Sequence, residues 1–419
     1  MKSLIVLTAV LLMLLTGGNA RAGTVAGNAI NALGIDLLHQ TAPAGRNALL
    51  SPYSIEMAMA MTCAGAAGET RAEMVRVLHL PVEEAQTDRA FAGLQTELAG
   101  IMERQAARAL EQKQYGITND PLTLTTAKRL FGEAGYNFRP AYLALLKDQY
   151  RAPFEPMDFL HNAGGAATHI NTWVANQTHD RIQNLIPAGA LTKDTRLVLV
   201  TAIYLKAPWE TKFEERDTVS RPFHLAAAGT AAVPTMYQKN SLGYARRAGY
   251  RVVVLPYAGS ELQLVILLPD ADDGLAALAA RLMPDMLAEC ASLPEQEVDM
   301  YLPKFKLEPP LLSLGKAMQA LGMHSAFDQP PGSANFDGMA PRRGGDGLYI
   351  SDIYHKTFLK LDESGTEAAA ATAVHMMTMA LQMHPVPPEE VRVDHPFLLA
   401  LQHVNSGACL FLGEVTDPR

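Results

Sequence analysis

The sequence of 419 residues predicts one α+β domain, and three observations carry this prediction. Residues 23–110 are rich in Ala, Leu, Met and Glu, and their apolar positions recur at helical spacing. Farther along, several runs have the composition of strands. Helices and strands alternate without a regular βαβ rhythm, and no repeat or low-complexity linker divides the chain. With 48% hydrophobic residues, the chain has enough apolar material for one large core.

The middle of the chain contains the clearest individual elements. Residues 122–131 have a strand-like pattern, and residues 140–186 return to helical spacing, with Ile170, Trp173 and Val174 on one face. The continuous β-prone run 197–205 predicts a strand that is buried on both faces.

A hairpin and a loop are predicted next. Residues 251–256 and 262–268 are β-prone runs on either side of Ala258-Gly259-Ser260, which predicts two strands joined by a tight turn. Residues 330–347 are rich in Pro and Gly and therefore predict a surface loop.

The N-terminus predicts export. Lys2 precedes an apolar run over residues 4–15, and Ala20-Arg21-Ala22 has the small-x-small pattern of a cleavage site. We therefore expect a signal peptide over residues 1–22, cut after Ala22, and a secreted or periplasmic domain over residues 23–419. The apolar run is too short to span a bilayer, so no membrane partner is expected.

Charge and cysteine content exclude some classes of protein. Loss of Lys2 and Arg21 would take the formal net charge from −8 to −10, because residues 1–22 contain no acidic residue. Such a negative charge argues against nucleic acid as the main partner. The three cysteines, Cys63, Cys290 and Cys409, are far apart and predict buried thiols rather than a disulfide framework.

The sequence contains no motif that indicates an enzyme. It lacks the G-x-S-x-G, H-E-x-x-H, phosphate-loop and G-x-G-x-x-G patterns. Four histidines share the C-terminal region, but their spacing is irregular, so no metal site is expected; they are His375, His384, His395 and His403. No cofactor is expected either.

The most informative segment is Gly-Thr-Glu-Ala-Ala-Ala-Ala-Thr-Ala-Val, over residues 365–374. Ser364 and Glu367 have capping-box spacing, and the alanines favour a helix. Read instead with a period of two, the even-numbered residues from Thr366 to Met376 form a face without charge, opposite Glu367 and His375. The segment can therefore be a helix or a strand with one buried face, and its small side chains could slip between existing strands.

A series of motifs in a fixed order resembles the serpin family over nearly the whole mature chain. The motifs are Asn47–Ile55, Gly68-Glu-Thr70, Arg129-Leu-Phe131, Ile170-Asn-x-Trp173-Val174, Ala202-Ile-Tyr-Leu-Lys206, Leu255-Pro-Tyr257, Leu302-Pro-Lys-Phe305, His355-Lys356, Gly365-Thr-Glu367, Asp394-His-Pro-Phe397 and Phe411-Leu-Gly413. Each motif is weak alone, and their common order makes the resemblance specific.

The resemblance implies a serpin fold with three β-sheets, about nine helices and an exposed reactive loop at about residues 364–393. It implies that the protein is a serine protease inhibitor and not an enzyme. The inhibitor is expected to be a monomer. The resemblance further implies that the target protease cuts the loop and forms an acyl-enzyme, and that insertion of residues 365–377 into the central sheet traps this covalent complex before hydrolysis. A non-inhibitory carrier or chaperone on the same fold is the alternative.

The resemblance also assigns roles to residues of the loop. The implied hinge consists of Gly365, Thr366, Glu367, Ala368, Ala369, Ala370, Ala371 and Thr372. Family spacing places the scissile bond between Met379 and Ala380, although Met377 and Leu381 remain alternatives. An unbranched apolar Met379 suits an elastase-like or chymotrypsin-like protease, because it offers no charge to a trypsin-like pocket.

A second set of residues matches the region beneath and above the opening of the sheet. Ser51, Ser54, Thr201 and His355 match the family's shutter, and Trp209 matches the point where insertion begins, the breach. The family commonly has Asn at the position of Thr201, and a hydroxyl offers fewer hydrogen bonds than an amide. The resemblance therefore leaves open how firmly the sheet stays shut and whether the protein polymerises.

Overall fold

The structure is a computed structural model that describes residues 22–114, 122–226, 229–342, 347–367 and 387–419. The expected signal peptide lies outside these residues, apart from Ala22, where the first helix begins. The same is true of most of the expected reactive loop, including Ala368 to Thr372 and the Met379–Ala380 bond.

Nine α-helices lie within the described residues. They are α1 (Ala22–Thr41), α2 (Pro52–Cys63), α3 (Gly68–Val77), α4 (Glu84–Gln114), α5 (Pro140–Tyr150), α6 (Phe159–Gln177), α7 (Leu275–Ala279), α8 (Pro284–Glu289) and α9 (Gly315–Ala320). Helix α2 shows why such a segment starts where it does. Ser51 caps it by accepting a hydrogen bond from the Ser54 N–H at 3.3 Å, and Pro52 occupies the first helical position.

The strands form three sheets, as expected. They are β1 (Ala48–Leu50), β2 (Thr123–Glu133), β3 (Phe154–Met157), β4 (Leu197–Pro208), β5 (Val219–His224), β6 (Thr230–Arg247), β7 (Tyr250–Pro256), β8 (Leu262–Pro269), β9 (Glu295–Pro303), β10 (Phe305–Leu307), β11 (Leu312–Ser313), β12 (Tyr354–His355), β13 (Leu359–Asp362), β14 (Gly365–Thr366), β15 (Glu389–Arg392), β16 (Phe397–His403) and β17 (Cys409–Val415). The described strands thus make one nine-stranded, one six-stranded and one two-stranded sheet.

The six-stranded sheet has the order β10-β13-β14-β4-β2-β3 and carries the site described below. Its strands β2 and β4 are antiparallel over ten residue pairs, from Thr123–Lys206 to Gly132–Leu197. Helix α6 lies across this sheet, and a separate apolar cluster, which includes Phe131, Ile170 and Val200, joins the two. The sheet is therefore covered on one side by α6, while α2 contacts β4.

The nine-stranded sheet contains most of the remaining strands in the order β1-β17-β16-β8-β7-β6-β9-β15, with β5 paired to β6. The predicted hairpin is confirmed, since β7 and β8 pair in antiparallel register from Tyr250–Pro269 to Pro256–Gln263. Strand β15, which lies in the last part of the expected reactive loop, pairs with β9 in parallel.

Two predictions of local structure need correction. The stretch expected to be helical over residues 140–186 contains strand β3 and has its last helix end at Gln177. The strand expected to be buried on both faces, β4, has six of its twelve residues only partly buried. The expected loop over residues 330–347 has no helix or strand in its described part, and Phe336 and Met339, which are 3% and 2% exposed, anchor it to the core.

The cysteines are buried and unpaired, as the sequence predicts. Burial raises the pKa of the Cys63 and Cys290 thiols to about 12, so both stay protonated and unreactive near neutral pH. In the described part of the chain, no helix has the length and apolarity to cross a bilayer. Nor do three or more His, Cys, Asp or Glu side chains converge there as a metal site.

Candidate functional site

The first two hinge residues already form a strand inside the six-stranded sheet. Gly365 and Thr366, which make up β14, pair with Pro208 and Ala207 of β4 on one side. On the other side they pair with Asp362 and Leu361 of β13, from which a turn of two residues separates them. The sheet therefore holds the beginning of the hinge between two strands.

Gly365 is required at this position by its geometry. Its φ angle of +142° is one that side chains rarely adopt, and a Cβ atom here would overlap the carbonyl oxygen of Ala207. The resemblance places Ala207 where the family has Gly, yet its side chain is fully buried and leaves the pairing of Gly365 intact.

Thr366 contacts Tyr257, which is one of two stacked aromatic residues. Its side chain is 2% exposed, and its hydroxyl forms a hydrogen bond of 2.5 Å with the Tyr257 hydroxyl. The Tyr257 ring stacks on Trp209, with a centroid distance of 4.6 Å and an interplanar angle of 6°. The Trp209 Nε1–H in turn donates to the carbonyl of Asp362 at 3.0 Å, so the expected breach residue ties β13 to the aromatic pair.

The turn before the hinge is fixed by Glu363. Its carboxylate accepts hydrogen bonds from Lys304 Nζ and the Thr218 hydroxyl, each at 2.7 Å. Burial would raise the pKa of Glu363, but these hydrogen bonds outweigh burial and lower the pKa. The turn is therefore anchored by a carboxylate that stays ionised near neutral pH.

Glu367 marks the point where the chain stops following the sheet. Its N–H still donates to the carbonyl of Lys360 at 3.0 Å, but its φ of +53° lies in the left-handed region. Its carboxylate forms an ion pair with Arg181. Burial and this nearby carboxylate together raise the pKa of Tyr204. Strand β14 also shows that the alternative helix, capped by Ser364, does not begin here.

The expected shutter residues come together where β4 passes over the start of α2. The Ser51 N–H donates to His355 Nε2 at 3.0 Å, and the Ser51 hydroxyl donates to the Ser54 hydroxyl at 2.9 Å. The Thr201 hydroxyl donates to the carbonyl of Ser54 at 2.7 Å. The threonine thus makes one direct bond to α2, where an amide could make more.

His355 is neutral in this network. Burial lowers its pKa to about 4, and its Nε2 atom accepts a hydrogen bond, which requires an unprotonated nitrogen. A narrow cleft lies beside it and is lined in part by Thr201 and Ile182.

Sequence reasoning assigned no role to several residues that the structure brings to the hinge. Tyr204, Tyr257 and Lys304 fall within motifs quoted for the resemblance, so their positions carried a signal. Arg181 carried none, because its contact with Glu367 joins positions that are 186 residues apart in the sequence.

Comparisons with known proteins agree on one family. A family model described as "Serpin (serine protease inhibitor)" matches residues 28–418. Leukocyte elastase inhibitor A of Mus musculus is 37% identical over 91% of this chain and 95% of its own length. Uncleaved ovalbumin superposes with a TM-score of 0.76 at 28% identity, covering 94% of this chain and 100% of ovalbumin. Cleaved Serpin 42Da gives 0.76 at 29% identity, covering 95% and 100%.

The fold and the hinge together define a domain whose central sheet holds the start of a potential extra strand. The family match and the relatives show which proteins share this arrangement: the chain belongs to the serpins, a family of serine protease inhibitors.

Proposed function

We propose that this protein is an exported serine protease inhibitor that acts as a suicide substrate. The protease cuts the loop after Met379 and is held as an acyl-enzyme on that residue. Residues 365–377 then enter the six-stranded sheet as a new strand, which carries the protease away and prevents hydrolysis. The observation that carries this proposal is β14, because the first two hinge residues are already paired on both sides.

The register of β14 supports insertion of the rest of the hinge. Among the described residues, only Pro208 and Ala207 of β4 pair with the hinge, whereas residues 197–206 of β4 pair only with β2. Continuing the antiparallel register would place residues 367–376 along this edge. Thr372 would then lie opposite Thr201 on one side and His355 on the other, beside the cleft of the shutter.

The side-chain pattern fits this register. Thr366 faces the interior, so the charge-free face of even-numbered residues would be buried and the face with Glu367 and His375 would point outward. About ten new residue pairs, each contributing about 1 kcal/mol net per hydrogen bond, would supply on the order of 10 kcal/mol. That equals the stability of an ordinary domain and is enough to drive distortion of a protease.

The expected scissile residue and the relatives point to the same class of target. Met379 is unbranched and apolar, which suits the pockets of elastase-like and chymotrypsin-like proteases. Several relatives bear the name leukocyte elastase inhibitor. Met377 and Leu381 stay as alternatives, because apolar side chains discriminate by only about 1–3 kcal/mol in such pockets.

Export and a monomeric state are parts of the same proposal. The apolar run over residues 4–15 and the cleavage pattern at Ala22 support a secreted or periplasmic location. The family match begins at residue 28, downstream of the expected cut. N-terminal sequencing of the exported protein tests the cut, and sedimentation of the purified protein tests the monomer.

The alternative is a carrier or chaperone that keeps the fold and has lost insertion. The hinge argues against it, since residues 366–372 contain one charged side chain and are otherwise Thr and Ala. Bulky or charged residues on the buried face would block a new strand.

Incubation of residues 23–419 with elastase or chymotrypsin tests the proposal. We expect a complex that survives denaturing electrophoresis and a released peptide that begins at Ala380, identified by mass spectrometry. The control is the same protease with its catalytic serine blocked, which should give neither product.

The cut form distinguishes the remaining outcomes. Cleavage without a complex, but with a large rise in the unfolding temperature, would mean that insertion works and that the protease is not the target. Cleavage without such a rise would refute the inhibitor and favour the carrier or chaperone.

A further inference from the structure

We propose that Arg181 is a positioning residue that holds Glu367 outside the sheet and thereby sets the rate at which the hinge inserts. The inference rests on the proposed insertion mechanism. The Arg181–Glu367 clamp, as we call this ion pair, would act after the loop is cut and before the new strand grows past Thr366.

Arg181 lies near the start of the long connection, residues 178–196, between α6 and β4. His179, Asp180 and Asn184 all have left-handed φ angles, between +48° and +61°, so the backbone follows one unusual path. Asn171 of α6 fixes the end of this path through two hydrogen bonds with the backbone of Ile186, at 2.8 and 2.9 Å. The position of Arg181 is therefore set by the scaffold.

The guanidinium of Arg181 spans from the connection to the hinge. It lies 5.3 Å from the centroid of the Phe358 ring, next to β13, and forms the ion pair with Glu367. The Arg181 side chain is 47% exposed, but that of Glu367 is only 7% exposed, so water screens the carboxylate poorly.

Insertion must break this clamp. To continue as an antiparallel strand, Glu367 has to move from φ +53° to about −140°. That rotation points its side chain in a new direction, away from its present partners. A left-handed φ is unfavourable for a residue other than Gly, so the ion pair with Arg181 compensates for that strain in the uncut protein.

The experiment measures the rate of insertion directly. Trp173 is replaced by Phe, which leaves Trp209, at the start of the insertion path, as the only tryptophan. The loop is cut with chymotrypsin, at concentrations raised until the fluorescence change no longer depends on the protease. The unfolding temperature of the uncut and cut forms is measured for every variant.

We expect Arg181→Ala and Glu367→Ala each to insert about ten times faster than the parent. Arg181→Lys keeps the charge, so its rate of insertion should lie between that of the parent and that of Arg181→Ala. On the Glu367→Ala background, Arg181→Ala should have no further effect, because the clamp is already absent. If Arg181 acted only by packing against Phe358, its effect would persist in that background. The control is Arg247→Ala, which removes an exposed arginine paired with Glu289 and should leave the rate unchanged.

Two results would overturn the clamp, and they are distinguishable. Insertion at the parental rate in both alanine variants would exclude the clamp and leave the proposed inhibitor intact. A parent protein whose cut form gains no heat stability would show that no insertion occurs, and both proposals would fall together.

Discussion

Replacement of Thr366 by Arg is the sharpest test of the buried hinge face. Thr366 is 2% exposed, and its hydroxyl contacts the hydroxyl of Tyr257, which is fully buried. An arginine here would place an unpaired cation beneath the sheet or force the hinge out of it. We expect Thr366→Arg to be cut by the target protease without trapping it.

The size of the effect follows from burial. An uncompensated charge in a buried site costs about 3–5 kcal/mol. A cost of about 3 kcal/mol in the transition state for insertion would slow this step roughly 10²-fold. If insertion and hydrolysis of the acyl-enzyme are comparable in the native protein, nearly all of the variant would then be released as cleaved product.

The assay is a titration of elastase or chymotrypsin with Thr366→Arg, read by denaturing electrophoresis and by residual protease activity. Thr366→Ser is the matched control, since it keeps the hydroxyl for Tyr257 and fits the same space, and it should inhibit. A complex formed by Thr366→Arg at the native stoichiometry would refute the buried hinge face. A gain of heat stability in its cut form would do the same.

Four further changes test separate parts of the site. Met379→Arg should transfer inhibition from elastase to trypsin, as measured by complex formation with each; unchanged elastase inhibition would place the scissile bond elsewhere. Thr372→Val should lower the unfolding temperature of the cut form more than that of the uncut form, because the hydroxyl would reach the shutter only after insertion; equal shifts would contradict the register. The native protein should lose about 3 kcal/mol of its free energy of unfolding as pH falls from about 6.5 to about 4, because the pKa of His355 is depressed to about 4 in the folded protein and the unfolded chain binds the proton first. His355→Gln should not show this loss when denaturant titrations are repeated across the pH range. An identical pH profile in the variant would exclude His355 as the cause. Glu56→Met should raise the free energy of unfolding by about 1–3 kcal/mol at pH 7, because both carboxylate oxygens are buried without a hydrogen-bond partner among the described residues. Burial raises the pKa of Glu56 in the folded protein, so the native protein loses stability as pH rises above about 4.5, where the unfolded chain ionises first. The gain in free energy of unfolding from Glu56→Met should therefore be smaller in acid than at pH 7. An equal gain at both pH values would refute this account.

Local sequence pattern was sufficient to predict the elements whose composition differs most from that of the neighbouring residues. The hairpin of β7 and β8 was predictable because Ala258-Gly259-Ser260 interrupts two continuous β-prone runs. Strand β3 was missed because its four residues contain Pro156 and lie between two helices, so no alternation could develop. Partial burial of β4 was also beyond prediction, since the composition of a strand does not report what covers each face.

In the site, too, the sequence predicts some features and not others. Family motifs predict which residues form the hinge and the shutter, and these assignments stay predictions. The strand at the start of the hinge could not be predicted, because the sequence of residues 364–367 suits a helix cap equally well and only the contacts with β13 and β4 decide for a strand. The contact of Arg181 with Glu367 depends on how α6 lies across the sheet, which no local pattern encodes.

The short strand β14 also changes the kinetics expected for insertion. Ordering the first residues of a new strand is the slow event, because ends must meet and backbone entropy is lost before many bonds form. In the proposed mechanism, that nucleus exists before any protease arrives. The time needed for insertion would then be set by the residues that follow Thr366, which is where the proposed Arg181–Glu367 clamp acts.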